Sequence, residues 1–507
     1  MIQKAAKYFS TAYILLMFCI YPFYMENGYY NIGEAKMNFF LRVSLAAFVV
    51  LAVLYFVLLV KGVWARRQER QAYLIDWEQI SAVDLLMLVY ATVLFLSYVF
   101  SANKEEALWG AEGWYMGLIP QLLLCALYFL ISRLWTGSEK VLYPVMMATA
   151  VVFVLGICNR FSYYPIVVKG AQPDFISTLG NINWFCGFLS VVAPLGIGYF
   201  VVETSGILWK RVLLGFYAFI VFMAGFSQGS DSIFLWFGAV LVLLLWIAAE
   251  DGRYMKRWFL LVLLWAMAAG MIAVLRVVTV DKFNYDTNGL CGYFTSSYIW
   301  AWIAAVAVGG LIFYHVRSEK ENIRKGLVAL VVVSLILWVL LSIVNTLVGV
   351  SFLEGNTLFT FDANWGHGRG VTVWTGIRTF GEQPLLQKLI GVGPDCFASA
   401  AYKIPEVTSL LREHFGSARL TNAHNECVTV LVNTGVLGVC SYVGLLLTCV
   451  VRYVKAGKDT KDVLFYACAV SVAGYFVHNM VSFAQVLNFP FIFIIIGMAE
   501  AKKRHLR

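Results

Sequence analysis

Charged residues are scarce in this chain: Asp, Glu, Lys and Arg make up 13% of its 507 residues, about half the share of an ordinary soluble domain. No stretch has the composition of a separate soluble domain. Motifs for common chemistries are missing as well. The ten cysteines contain no Cys-x-x-Cys pair and no metal-type spacing. There is no Asp-x-Asp, no P-loop and no His-Glu-x-x-His. These absences argue against metal-dependent use of nucleotide sugars and leave a cytoplasmic nucleotide site without a location. Cys291 and Cys396 fall in predicted outer loops, where a disulfide and two free thiols both remain open.

What is abundant is apolar sequence: 61% of residues are hydrophobic. They occur in blocks of roughly 17–25 residues, the length of helix that crosses a hydrocarbon core of about 30 Å. Lipid offers the backbone no hydrogen bonds, so blocks of this length imply helices. The expectation is an all-α integral membrane protein, a single polytopic domain over residues 1–507. It has about fourteen transmembrane helices: 8–24, 39–60, 83–100, 117–133, 142–159, 183–202, 212–226, 232–249, 258–276, 296–314, 326–348, 425–450, 463–480 and 486–500. Lys4 and Lys7 ahead of an apolar run resemble a signal sequence, but no small-residue cleavage site follows, so the expectation is a retained first span.

The net charge of +9 is distributed as a topology signal and not as a nucleic-acid surface. With both termini cytoplasmic, the inner side collects Lys4 and Lys7; Lys61, Arg66, Arg67 and Arg70; Arg133 and Lys140; and Lys210 and Arg211. The later inner segments add Arg253, Lys256 and Arg257; Arg317, Lys320, Arg324 and Lys325; Arg452, Lys455, Lys458 and Lys461; and Lys502, Lys503, Arg504 and Arg507. This is the positive-inside bias of a protein of the cytoplasmic (inner or plasma) membrane.

One segment departs from that rhythm. Residues 349–424 hold no spanning block and form a predicted large extracytoplasmic loop, far longer than a usual helix connection. It carries His367, Arg369, Arg378, Arg412, His414, Arg419 and His424. Val373, Trp374, Ile377 and Phe380 recur at helical spacing, as expected of an amphipathic helix on the membrane surface; the stretch Val407–Phe415 repeats the idea. Arg stays charged and binds phosphate oxygens bidentately, so an Arg cluster with His suggests a diphosphate clamp plus a proton-transfer group. The competing reading is snorkelling of Arg to lipid headgroups. His424, in Thr421-Asn422-Ala423-His424-Asn425-Glu426, is a candidate general base; the bland alternative makes Asn422 or Asn425 an N-cap beside an interfacial histidine. His478 near the end of its span is either functional or a packed, hydrogen-bonded histidine.

Gly368-Arg369-Gly370-Val371-Thr372-Val373-Trp374, Pro384-Leu385, Gly391-Val392-Gly393-Pro394, His424-Asn425 and Asn433-Thr434-Gly435-Val436-Leu437-Gly438 together resemble the O-antigen ligase and polymerase superfamily. Upstream, Gly180-Asn181-Ile182-Asn183 is similar to that family's Gly-Asn-x-Asn, and His478 falls where members place a histidine. The resemblance covers residues 180–480. Here five residues, Leu386–Ile390, separate Pro384-Leu385 from Gly391, a longer gap than the family's. The family's Ser-Arg-Gly is met by Gly229-Ser230-Asp231-Ser232, with Asp231 in place of the arginine. Arg160, Lys169, Arg276 and Arg378 are the candidates to replace that cation.

The resemblance implies a membrane glycosyltransferase of the C type that needs no metal and no cofactor. Its donor would be a polyprenyl-diphosphate-linked oligosaccharide, its acceptor a glycan or glycolipid, and its medium the lipid bilayer. His424 would be catalytic, Arg369 and Arg378 would bind the diphosphate, and Asn425 and His478 would support them. The rival expectation is a non-catalytic transporter or flippase of lipid-linked glycans.

Overall fold

The computed structural model describes residues 1–68, 80–283, 289–296, 298–316, 321–350, 353, 359–363 and 365–506. The predicted inner-side cations Arg70, Arg317, Lys320 and Arg507 lie outside the described residues, as do the side chains of Arg66, Arg67 and His367.

The described chain is helical apart from one short hairpin. Helix α1 (Ile2–Leu15) runs on through a π turn at Leu16–Ile20 and a 3-10 turn at Tyr21–Phe23. Then come α2 (Ile32–Gln68), α3 (Ala82–Phe100), α4 (Lys104–Trp109), α5 (Leu118–Leu134) and α6 (Leu142–Arg160). The hairpin β1 (Phe175–Ile176) and β2 (Gly180–Asn181) pairs Phe175 with Asn181 and Ile176 with Gly180. It leads into α7 (Ile182–Val202), α8 (Leu208–Gln228), α9 (Ser232–Ala248) and α10 (Gly252–Val278). The rest are α11 (Leu290–Ser296), α12 (Ile299–Val316), α13 (Glu321–Val348), α14 (Trp365–Gly381), α15 (Leu385–Ile390), α16 (Phe397–Ala401), α17 (Pro405–Phe415), α18 (Glu426–Thr460), α19 (Val463–His478) and α20 (Phe489–Arg504).

Each of the fourteen predicted stretches coincides with one of these helices. Among the described residues nine helices are long and apolar enough to cross a membrane, and α5, α9, α12 and α19 are shorter apolar helices. Their outward faces agree with lipid: α2 exposes Val49, Val53 and Phe56, and α13 exposes Leu330, Ile336 and Leu347. Patches of that kind have no reason to face water. The chain is therefore a multi-pass, all-helical membrane protein.

The centre of the bundle is α7, enclosed by α6, α8, α9, α10 and α19. Side chains cap the helix starts. Ser81 and Asp84 exchange hydrogen bonds at the start of α3, and Asp251 and Asp462 accept from the first turns of α10 and α19. At one end of the bundle buried carboxylates hold three of the predicted inner-side arginines. Asp84 meets Arg133 at 3.2 Å and Arg504 as well, while Glu500 meets Arg452 at 2.7 Å, fastening α20 to α3, α5 and α18.

The 349–424 segment holds helices α14–α17, packed into a core of their own. Val392, Cys396, Phe397, Val407 and Leu411 fill it, together with Ala107 of α4. On α14 the apolar face expected at the membrane surface points outward, and the face predicted for α17 needs correction. On α14 the buried side carries Val371, Thr372, Thr375 and Thr379, while Trp374 and Ile377 are exposed; the Thr372 hydroxyl donates to Ala423 O at 2.8 Å and that of Thr379 to Thr375 O at 2.7 Å. On α17 the buried positions are Val407 and Leu411, with His414 exposed. A second correction concerns the span from residue 425, which is broken at Gly435 (φ +69°). There the turn after α15 docks: Val392 N donates to Val432 O at 3.2 Å and Gly393 N to Asn433 O at 3.0 Å. A Cβ on Gly391 would stand 2.1 Å from Asn433 O, and one on Gly435 would stand 2.4 Å from the Leu389 carbonyl. Only glycine permits that approach. All ten cysteines are free; Cys291 and Cys396 are separately buried.

Candidate functional site

A cavity of about 740 Å³ opens where the end of α6, the hairpin, the α8–α9 turn, α14 and the approach to α18 meet. Its walls include Arg160, Asn181, Asn183, Asp231, Arg369 and His424. Residues spread over some 260 positions thus share one space, and local chemistry explains how each arrives.

Asn181 is the N-cap of α7, its Oδ1 accepting from Asn183 N at 2.8 Å, so Gly-Asn-x-Asn is a capped strand-to-helix turn that points Asn183 into the cavity wall. Helix α8 ends at Gly229 in the left-handed conformation (φ +80°). Asp231 follows and accepts from Leu290 N at 2.9 Å. Arg160, 4% exposed, donates from Nε to Ser227 O and from Nη2 to Gln228 O, both at 3.0 Å, and from Nη1 to Pro173 O at 3.2 Å. It therefore satisfies the last carbonyls of α8 while holding a positive charge at the cavity edge. Of Arg160, Lys169, Arg276 and Arg378, the cations weighed against the acidic Asp231, Arg160 lines the cavity and the other three do not.

Arg369 stands in the first turns of α14. Its Nη1 donates to Gly366 O at 2.9 Å, and its buried Nε has no hydrogen-bond partner among the described residues. Burial lowers its pKa from the ordinary guanidinium value, and the Asp231 carboxylate opposes that shift. It remains a cation with unspent donors.

His424 occupies a left-handed backbone position (φ +47°), held by Asn422 Oδ1 accepting from His424 N at 3.0 Å. Its ring meets Phe483 edge-on with centroids 5.3 Å apart, and Nδ1 is buried without a partner among the described residues. Burial, and then the Arg369 charge, push the imidazole down to about 4. At neutral pH it is an uncharged acceptor.

The supporting residues act from behind. Asn425 is the N-cap of α18, accepting from Val428 N at 3.1 Å and donating to Met480 O at 2.8 Å. His478 is 1% exposed, with Nε2 3.4 Å from Ser232 Oγ and Nδ1 3.2 Å from Asn479 Oδ1. It is a packed histidine under the start of α9 and does not line the cavity. Arg378 is elsewhere: it is exposed on α14 and pairs with Glu382 and Glu406, each at 3.2 Å. Arg412, His414 and Arg419 are exposed on or just after α17.

Two buried carboxylates escaped the sequence reading, Asp395 and Glu426, 7% and 6% exposed. Asp395 was hidden in a stretch that reads as a turn. Glu426 had a visible signal, an acidic residue at the head of an apolar span beside His424.

This arrangement defines a polytopic membrane protein with a polar, cation-bearing cavity at one end of its bundle. No family model matches the sequence, and no curated protein matches it.

Proposed function

We propose that the chain is a metal-independent glycosyltransferase of the surface-polysaccharide ligase or polymerase type. It transfers a glycan from a polyprenyl diphosphate to the hydroxyl of an acceptor sugar. The observation that carries this reading is convergence: Arg369, His424 and the Asn181–Asn183 turn, the pieces singled out by resemblance to the O-antigen ligase and polymerase superfamily, line one cavity of about 740 Å³. In this reading the chain crosses the cytoplasmic membrane fourteen times with both termini inside, and the α14–α17 layer faces out.

The chemistry follows from the residues present. Arg369, with Arg160 beside the cavity, offsets the diphosphate charge and makes it a better leaving group. The acceptor oxygen forms its bond to the anomeric carbon as the bond from that carbon to the diphosphate oxygen breaks. The hydroxyl proton passes to the neutral His424 ring, and the carrier lipid leaves as its diphosphate. A single displacement inverts the anomeric centre. Donor binding also prepares the base, because an anion beside Arg369 cancels the charge that holds His424 down. Most of the rate then comes from position and electrostatics.

The transporter reading finds one favourable feature, the break in α18, since broken helices line transporter sites. Here the break is occupied by the backbone of the turn after α15 and lines no part of the large cavity. Carrier-linked intermediates in cells lacking the protein separate the cases. Long chains stranded on carrier lipid indicate a lost ligase, and single repeat units a lost polymerase. Intermediates of normal length trapped on the inner leaflet would favour the flippase and refute transfer.

A further inference from the structure

A second cavity, about 30 Å³, shares Phe483 with the His424 ring. Its walls come from the Pro394–Asp395 turn, the first half of α18, Tyr90 of α3 and Gln121 of α5. Asp395 and Glu426 both line it. Asp395 Oδ2 accepts from Ala111 N at 2.8 Å and Met116 N at 3.0 Å, and Glu426 Oε2 accepts from Ala484 N at 2.5 Å. Among the described residues neither carboxylate has an ion-pair partner, and no Lys, Arg or His lines the space. Two buried carboxylates in one small cavity must be neutralised, by protons or by a bound cation.

An independent observation points the same way. Asn433, 7% exposed, lines this cavity, and its Oδ1 is buried with no hydrogen-bond partner. The hydroxyl and indole donors of the wall are committed elsewhere. Tyr90 donates to Gln121 Oε1, Thr429 to Asn425 O, Thr434 to Val430 O and Trp114 to Thr421 Oγ1. The cavity therefore presents oxygen lone pairs. Its volume admits about one water-sized body, too little for a magnesium ion with several of its waters.

We propose that this cavity binds one alkali monovalent cation, held by Asp395, Glu426 and the Asn433 carbonyl. The cation joins the turn after α15 to the start of α18, the helix that His424 immediately precedes. With no cation beside it, burial pushes the Asp395 carboxyl up to about 7, the response of a carboxylate that lacks its counter-charge.

The test is thermal melting of the detergent-purified full chain in sodium, potassium or choline chloride at equal ionic strength, with chelator present. Sodium or potassium should raise Tm over choline by roughly 2–4 °C, saturably. The difference should vanish in Glu426→Gln and in Asn433→Ala. Equal melting in all three salts overturns the proposal, as does a rise kept intact by Glu426→Gln or one produced by calcium alone in chelator-free buffer. If a variant fails to fold, the wild-type salt comparison still decides. Because melting needs no glycan, failure here leaves the transfer reading standing, and failure of transfer leaves this site standing.

Discussion

Arg369 should govern the proton affinity of His424, and a pH profile reads that coupling directly. Burial and the neighbouring guanidinium hold the imidazole at about 4, below its ordinary 6.5. The reaction needs the neutral ring, so activity is full above that pKa and falls as pH drops through it. In the free enzyme the acid limb of kcat/KM should therefore lie near 4. In the donor complex the diphosphate offsets Arg369, so the acid limb of kcat should lie higher, by up to about one pH unit, since Arg369 is the smaller cause of the shift. Arg369→Ala removes the cation without unburying the ring. Its kcat/KM limb should move up toward 6.5 without reaching it, because burial is the larger of the two causes. Initial transfer rates in proteoliposomes, followed from about pH 3 to about pH 8, contain both limbs. A wild-type limb near 6.5 in both parameters, or a limb indifferent to Arg369→Ala, would refute the coupling.

Other residues give sharper contrasts. Asp231→Asn removes a carboxylate whose charge bears on Arg369, and should lower the donor KM about fivefold, roughly 1 kcal/mol; a raised donor KM would mean that Asp231 binds substrate. Arg378→Ala should leave donor KM within about twofold of wild type, since its guanidinium is paired with Glu382 and Glu406 on an exposed face; a large loss would return it to the site. Asn425→Ala should cost about 1 kcal/mol of stability through loss of the α18 cap, seen as a lower melting temperature, and an unchanged melt would show the cap to be idle.

The helical bundle was legible because lipid leaves the backbone one solution and sets its length, so hydropathy alone located every long apolar helix. The cavity was legible in part: Arg369, His424 and the Asn181 turn stand out as polar groups in an apolar chain. What tertiary contact decides was not legible. Helix α14 reads as amphipathic with Trp374 and Ile377 toward the membrane surface; that its opposite face of threonines packs against α17 and α18 is decided by tertiary contact alone. Gly435 reads as one small residue in a span; its break exists only because the turn at Gly391 lies against it. Arg378 resembles a phosphate ligand until Glu406, twenty-eight residues on, is brought beside it. Asp395 is an ordinary acid in sequence, and only folding removes its water.

The central claim is that Arg369 and His424 act on a lipid diphosphate in one cavity. The most direct measurement supplies a polyprenyl-diphosphate oligosaccharide and an acceptor glycan to purified protein in vesicles and follows the product by mass. Transfer by the wild type, its abolition in His424→Ala with folding intact, and a strongly weakened donor response in Arg369→Lys are the expected results. Full transfer by His424→Ala, or donor that is moved across the bilayer and never joined to acceptor, would contradict the account.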